Sequence, residues 1–110
     1  VTTDFIGAYY RDSGNVSYLR HDGTANASVN DGGPLSYTTL SNRSSIGGRY
    51  SANDWGSVAG QLDGAIKEII VFENTSLEKV QKLEGYLAWK WGLEAKLPGA
   101  HPYKLEKPFQ

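Results

Sequence analysis

Glu84-Gly-Tyr-Leu-Ala-Trp-Lys-Trp-Gly-Leu93, followed by Leu97-Pro-Gly-Ala-His-Pro-Tyr-Lys104, is the stretch that decides how this chain folds. Tyr, Leu and Trp on two helical turns carry more apolar area than a surface helix leaves wet. Gly92 stands where a helix ends in a left-handed residue, and Pro98 and Pro102 forbid its resumption. Upstream, Thr75-Ser-Leu-Glu78 matches a capping box. The spacing predicts a helix over 76–92 and an extended tail over 93–110. Leu77, Val80, Leu83, Leu87 and Trp91 step by three or four and form its apolar stripe, with Glu78, Lys79, Gln81, Lys82 and Lys90 largely off it. Trp89 and Trp91 are expected in the core rather than in a cofactor site, with Leu83, Leu87 and Trp91 packed on the strand that precedes the helix.

That strand is Leu62–Phe72, whose β-branched end suggests a central, doubly covered position. Further back, residues 4–11 read as a strand and Asp12-Ser-Gly14 as a hairpin loop. Val16, Tyr18 and Arg20 alternate with Ser17, Leu19 and His21 at the two-residue period of a second strand. Asp22-Gly23 is a strong type I′ turn signal, since both central positions need positive φ. A third strand returns over roughly 24–29. Residues 30–43 are loop by composition, Ser44–Tyr50 a short strand, and Ser51–Gln61 a second loop.

The final strand, helix and tail resemble the C-terminal signature of laminin G-like, concanavalin A-like jelly-roll domains found in bacterial exoproteins and phage virion proteins. In that family a strand reading roughly Gly-x-Ile-x-Glu-Ile leads into a helix reading Tyr-Leu-Ala-x-Lys-Trp-Gly-Leu and a Leu-Pro…His-Pro-Tyr tail. The corresponding residues here are Gly64-Ala-Ile66-Lys-Glu68-Ile69, Tyr86–Leu93 and Leu97–Lys104, with Trp89 where family members often carry His. The resemblance implies an all-β antiparallel sandwich with one C-terminal helix. A complete domain of this kind has about twice this length, so residues 1–110 are expected to be the C-terminal part of one laminin G-like domain, with a smaller, self-sufficient variant as the alternative. Half a sandwich would leave an apolar sheet face that a neighbouring chain, or residues outside this sequence, must cover. Phe5, Tyr9, Leu19 and Tyr50 are the side chains expected to lie bare when the chain is viewed alone.

The 110 residues are enough for one domain, and thirteen glycines favour a turn-rich β architecture over a helical bundle. Eleven basic side chains against twelve acidic ones give a net charge of -1, which offers no electrostatic footprint for nucleic acid or an anionic membrane. No apolar run approaches the roughly 20 residues of a membrane span. The chain has neither Cys nor Met, so disulfides and thiolate metal sites are excluded.

Glu68 is the most informative single residue, because strand alternation puts it in a row with Leu62, Ile66, Ile70 and Phe72. An unpaired carboxylate there would be costly, so it is expected to be a hydrogen-bonded structural anchor rather than an acid or base. Glycoside hydrolysis needs a second placed carboxylate, and the Glu-x-Asp-x-x-Glu strand motif of the family's glucanases is absent. No catalytic residue is therefore assigned. Trp55, with Asn53 and Asp54, sits in a Gly/Ser-rich loop where an indole can stack on a sugar face and flanking polar groups can grip hydroxyls. Tyr37 is a weaker candidate of the same kind, and each of these has a bland alternative as a side chain covering a sheet edge.

No cofactor is expected. Asp22, Asp31, Asp54 and Asp63 could offer oxygens to Ca²⁺, but no spaced calcium-loop motif is present and Asp22 is already a turn residue. His21 and His101 are too few soft ligands for zinc, and His101 is expected to order the tail by hydrogen bonding. Asn15, Asn26, Asn42 and Asn74 each open a sequon. Together these features lead to the expectation of a non-catalytic adhesion or recognition module, extracellular or on a virion surface, that binds carbohydrate or protein. The alternative is a structural decoration, fibre or filament subunit whose surfaces serve assembly.

Overall fold

The computed structural model describes residues 3–30, 32, 33, 46, 49, 50, 58, 59, 62–73 and 76–109, with no side-chain description at 49, 50, 58 and 59. The chain divides into two compact units. One comprises Thr3–Pro34 with Phe72–Gln110, and the other Leu35–Val71.

The first unit is an antiparallel three-stranded sheet with a helix and an ordered tail. Strands β1 (Gly7–Arg11), β2 (Val16–His21) and β3 (Thr24–Asn30) lie in sequence order. Tyr9 faces Leu19 and Leu19 faces Ala27, with a bulge between Leu19 and Arg20. Asp12 closes the first hairpin: its Oδ1 accepts from Gly14 N (2.8 Å) and Val16 N (3.0 Å), and its Oδ2 from Tyr18 Oη (3.0 Å). Asp22 and Gly23 form the second turn with φ of 49° and 80°, the positive pair that a type I′ hairpin requires.

Helix α1 spans Leu77–Trp91. Its N-cap is Ser76, not Thr75, and the Ser76 hydroxyl accepts from Lys79 N at 3.3 Å. Gly92 ends it in the left-handed conformation. The buried wedge is Val80, Glu84, Gly85 and Ala88, rotated by roughly 60° from the purely apolar stripe at 100° per residue. Leu83 and Leu87 are half-buried. Trp91, at the helix end, is 37 % exposed rather than core. The apolar core of this unit is small: Ile6, Ala88 and Leu97, flanked by Leu87 and Leu93.

In the second unit, β4 (Arg49–Tyr50) pairs antiparallel with β5 (Val58–Ala59). The second of these strands lies inside the segment expected to be loop. Residues 62–72 are not a strand; they take no regular secondary structure. Strand preference reflects fit onto a pleated, half-covered surface, and here Ile66 and Ile69 stay exposed and Val71 reaches 91 % exposure. The antiparallel sheet and C-terminal helix are thus present, in a mixed α and β arrangement.

Candidate functional site

Two surfaces of the sheet have different fates, and the pleat decides which side chain goes where. On one side Tyr10 and Arg20 are buried, with Tyr10 stacked on Tyr18 at 4.7 Å between ring centroids. Arg20 meets the helix through Glu84, which is 2 % exposed. Arg20 Nε donates to Glu84 Oε1 at 2.6 Å and Arg20 Nη2 to Oε2 at 3.1 Å, a side-on two-point pair. The same Nη2 donates to Gly23 O at 2.6 Å.

His101 completes the cluster. Its Nδ1 accepts from Tyr103 N (3.2 Å), which leaves Nε2 as the protonated nitrogen donating to Glu84 Oε2 (3.1 Å). The tail is fastened at further points. Trp89 Nε1 donates to Tyr103 O at 2.9 Å. Lys104 Nζ donates to the carbonyls of Glu94 (3.1 Å), Ala95 (2.6 Å) and Leu97 (2.7 Å), around the short 3₁₀ turn Glu94–Lys96. Two glycines permit the close approach. A Cβ at Gly85 would lie 2.6 Å from Tyr103 Cβ, and one at Gly23 would lie 2.9 Å from His101 Cδ2. Hairpin turn, helix and tail are therefore clamped around one buried carboxylate.

Arg, Glu and His are the residue types of acid–base chemistry; here both ring nitrogens of His101 are engaged within the cluster and the three side chains are buried.

The other side of the sheet is open. Tyr9 is 65 % and Phe5 60 % exposed, and Leu19 and Val29 are exposed beside them. Phe5 stacks on His21 at 5.2 Å, and Tyr9 Oη donates to Ser17 Oγ at 3.1 Å. Leu19 faces Tyr9 across the ladder, and Val29 faces Ser17, so these side chains share one face. The edge aspartate of this face, Asp22, turns its Oδ1 to Ile6 N at 2.9 Å.

Of the residues expected to bind a ligand, Trp55, Asn53, Asp54 and Tyr37 lie outside the described residues, as does the side chain of Tyr50. Glu68 is half-buried, as are Ile70 and Phe72 at the same two-residue spacing, while Leu62 and Ile66 at the start of the row are exposed. The buried anchor carboxylate is Glu84. A helix stripe read for apolar residues passes over it; the signal was a Glu beside Gly85 on the covered flank of the stripe, with Arg20 and His101 elsewhere in the chain. Among the described residues no group of three or more His, Asp or Glu side chains could hold a metal ion, and Asp31 and Asp54 are outside them. No described helix is long and apolar enough to cross a membrane. Comparison with protein-family models, with curated proteins and with solved structures returned no match.

Proposed function

We propose that the chain is a non-catalytic binding module that packs the open face of its three-stranded sheet against another protein. One observation carries this: Phe5, Tyr9, Leu19 and Val29 lie together and exposed on one sheet face. Soluble proteins rarely leave such a contiguous apolar surface bare unless it is an interaction site. Leu19 on the central strand, flanked by the aromatic rings of Phe5 and Tyr9, with Arg11, His21 and Asp22 around them, matches the apolar-core, polar-rim pattern of protein interfaces. The laminin G-like resemblance of helix and tail supports a place outside the cell or on a virion surface, and fits a neighbouring chain completing the sandwich.

Carbohydrate is the second reading, favoured by the two exposed rings of Phe5 and Tyr9. Leu19 and Val29 between and beside them favour a polypeptide. The test is a photoreactive benzoyl-phenylalanine at Tyr9, irradiated in the cells or particles that make the protein. A discrete protein adduct is expected. No adduct, together with saturable glycan binding that Tyr9→Ala abolishes, would replace the protein reading with the carbohydrate one.

A further inference from the structure

We propose that β3 is a dimerisation edge, pairing antiparallel with β3 of a second copy about a two-fold axis at Ser28. Two three-stranded sheets would then join into one continuous sheet. Strand β3 stands at the end of the sheet order, and all seven of its residues are exposed, whichever face they point to. Among the described residues no strand pairs with its outer edge. A strand in that position presents unpaired N–H and C=O groups and acts as a template for another strand.

Edge strands are normally protected by lysines, prolines, inward charges or bulges. Thr24-Ala-Asn-Ala-Ser-Val-Asn30 carries no charge and no proline. Its one irregularity is a bulge at Asn26, opposite Leu19 and Arg20, which leaves Ala27–Asn30 in regular register.

The pattern of β3 favours its own copy as partner. Reversed about Ser28, Ala27 meets Val29 and Ser28 meets itself, with the bulged Asn26 falling opposite Asn30, so apolar residues oppose apolar ones and polar oppose polar. Ala27 and Val29 lie on the same face as Leu19 and Tyr9. Pairing in this register therefore runs one apolar row, Tyr9–Leu19–Ala27, across the axis onto the Val29 of the second copy. The contact is isologous, the commonest form of self-association. With no charged side chain in the strand, two copies approach without repulsion. So short a strand pair lies below the roughly 1,200 Å² of a standard interface, and the association is accordingly weak.

Sedimentation equilibrium of the whole chain from about 10 μM to about 1 mM tests it. Wild type should pass from monomer to dimer over that range. Ser28→Lys sets two ammonium groups against each other across the axis and Ser28→Asp two carboxylates; each should weaken association roughly tenfold or more. Both substitutions are at an exposed position, and circular dichroism verifies the fold. Ser13→Lys, in the exposed first hairpin loop, should dimerise like wild type. A monomer throughout the range, or Ser28 variants that dimerise like wild type, would overturn the proposal. So would a dimer lost in Leu19→Lys but kept in both Ser28 variants, since that would place self-association on the face. The edge and the face are separate surfaces, so a monomeric chain that still yields the Tyr9 adduct retires the edge alone.

Discussion

Glu84→Gln removes the charge at the centre of the clamp while keeping the side chain's shape. In the native cluster the carboxylate accepts three hydrogen bonds, two from Arg20 and one from His101. Arg20 has one other acceptor, the Gly23 carbonyl. Without Glu84's charge, a guanidinium that is 7 % exposed loses its counter-ion, and the amide NH₂ of Gln meets donors instead of acceptors. Removing one partner of such a buried pair costs about 3–5 kcal/mol. Against a typical stability of about 5–15 kcal/mol, that is a large fraction, and the midpoint of thermal unfolding should fall by about 12 °C or more. Urea unfolding followed by tryptophan fluorescence and circular dichroism measures it, with an unchanged denaturant slope confirming that the native state is the same. Arg20→Leu combined with Glu84→Leu leaves no orphan charge and should be less destabilising than the two single changes summed. A Glu84→Gln protein within about 1 kcal/mol of wild type would refute the clamp as a source of stability.

Gly85→Ala should destabilise by about 1–3 kcal/mol and loosen the tail, because the new methyl meets Tyr103 Cβ at 2.6 Å; chemical shifts of residues 97–104 read the displacement. The Asp12–Tyr18 pair sets a pH window. Hydrogen bonds, the Val16 N–H foremost, hold the Asp12 carboxyl below its ordinary value of 3.8. Its contribution is present above that value and is lost as pH falls through the lowered one. Tyr18 donates to the same carboxylate, which pushes its phenol above 10.0, so its contribution is present below 10.0 and lost as pH rises through the raised value. Asp12→Asn should bring Tyr18 ionisation, followed by ultraviolet absorbance, back down toward 10.0; an unshifted titration would contradict the pairing.

Local signals were legible in the sequence and distant ones were not. Asp22-Gly23, the hairpin strands β1–β3 and Gly92 each depend on a few neighbouring residues, and the structure has them where the residues say, whereas the tail expected to be extended over 93–110 folds into the 3₁₀ turn Glu94–Lys96 and turns at 99–100 and 102–103. His101 as a hydrogen-bonding tail residue was expected from the resemblance of the Leu97–Lys104 tail to that of laminin G-like domains, and its ring nitrogens do bond Glu84 and Tyr103 N. Its partner was not legible, since Glu84 reads as an ordinary surface carboxylate until Arg20, 64 residues away in the chain, is brought to it. Trp91 has the angle of a core residue but overhangs the end of α1, and no periodicity reveals where a helix's packing partner stops. Leu62–Phe72 has the composition of a strand, yet pairing is a property of two segments, and composition describes only one.

The most direct measurement of the proposed docking face is hydroxyl-radical footprinting of the isolated chain and of the protein in its native setting. Phe5, Tyr9 and Leu19 should oxidise readily in the isolated chain and be strongly protected in the native one, while Leu105, 89 % exposed in the tail, reports equal radical dose in both. Equal oxidation of Phe5, Tyr9 and Leu19 in the two samples would contradict the account, because the face would then be bare where the protein works.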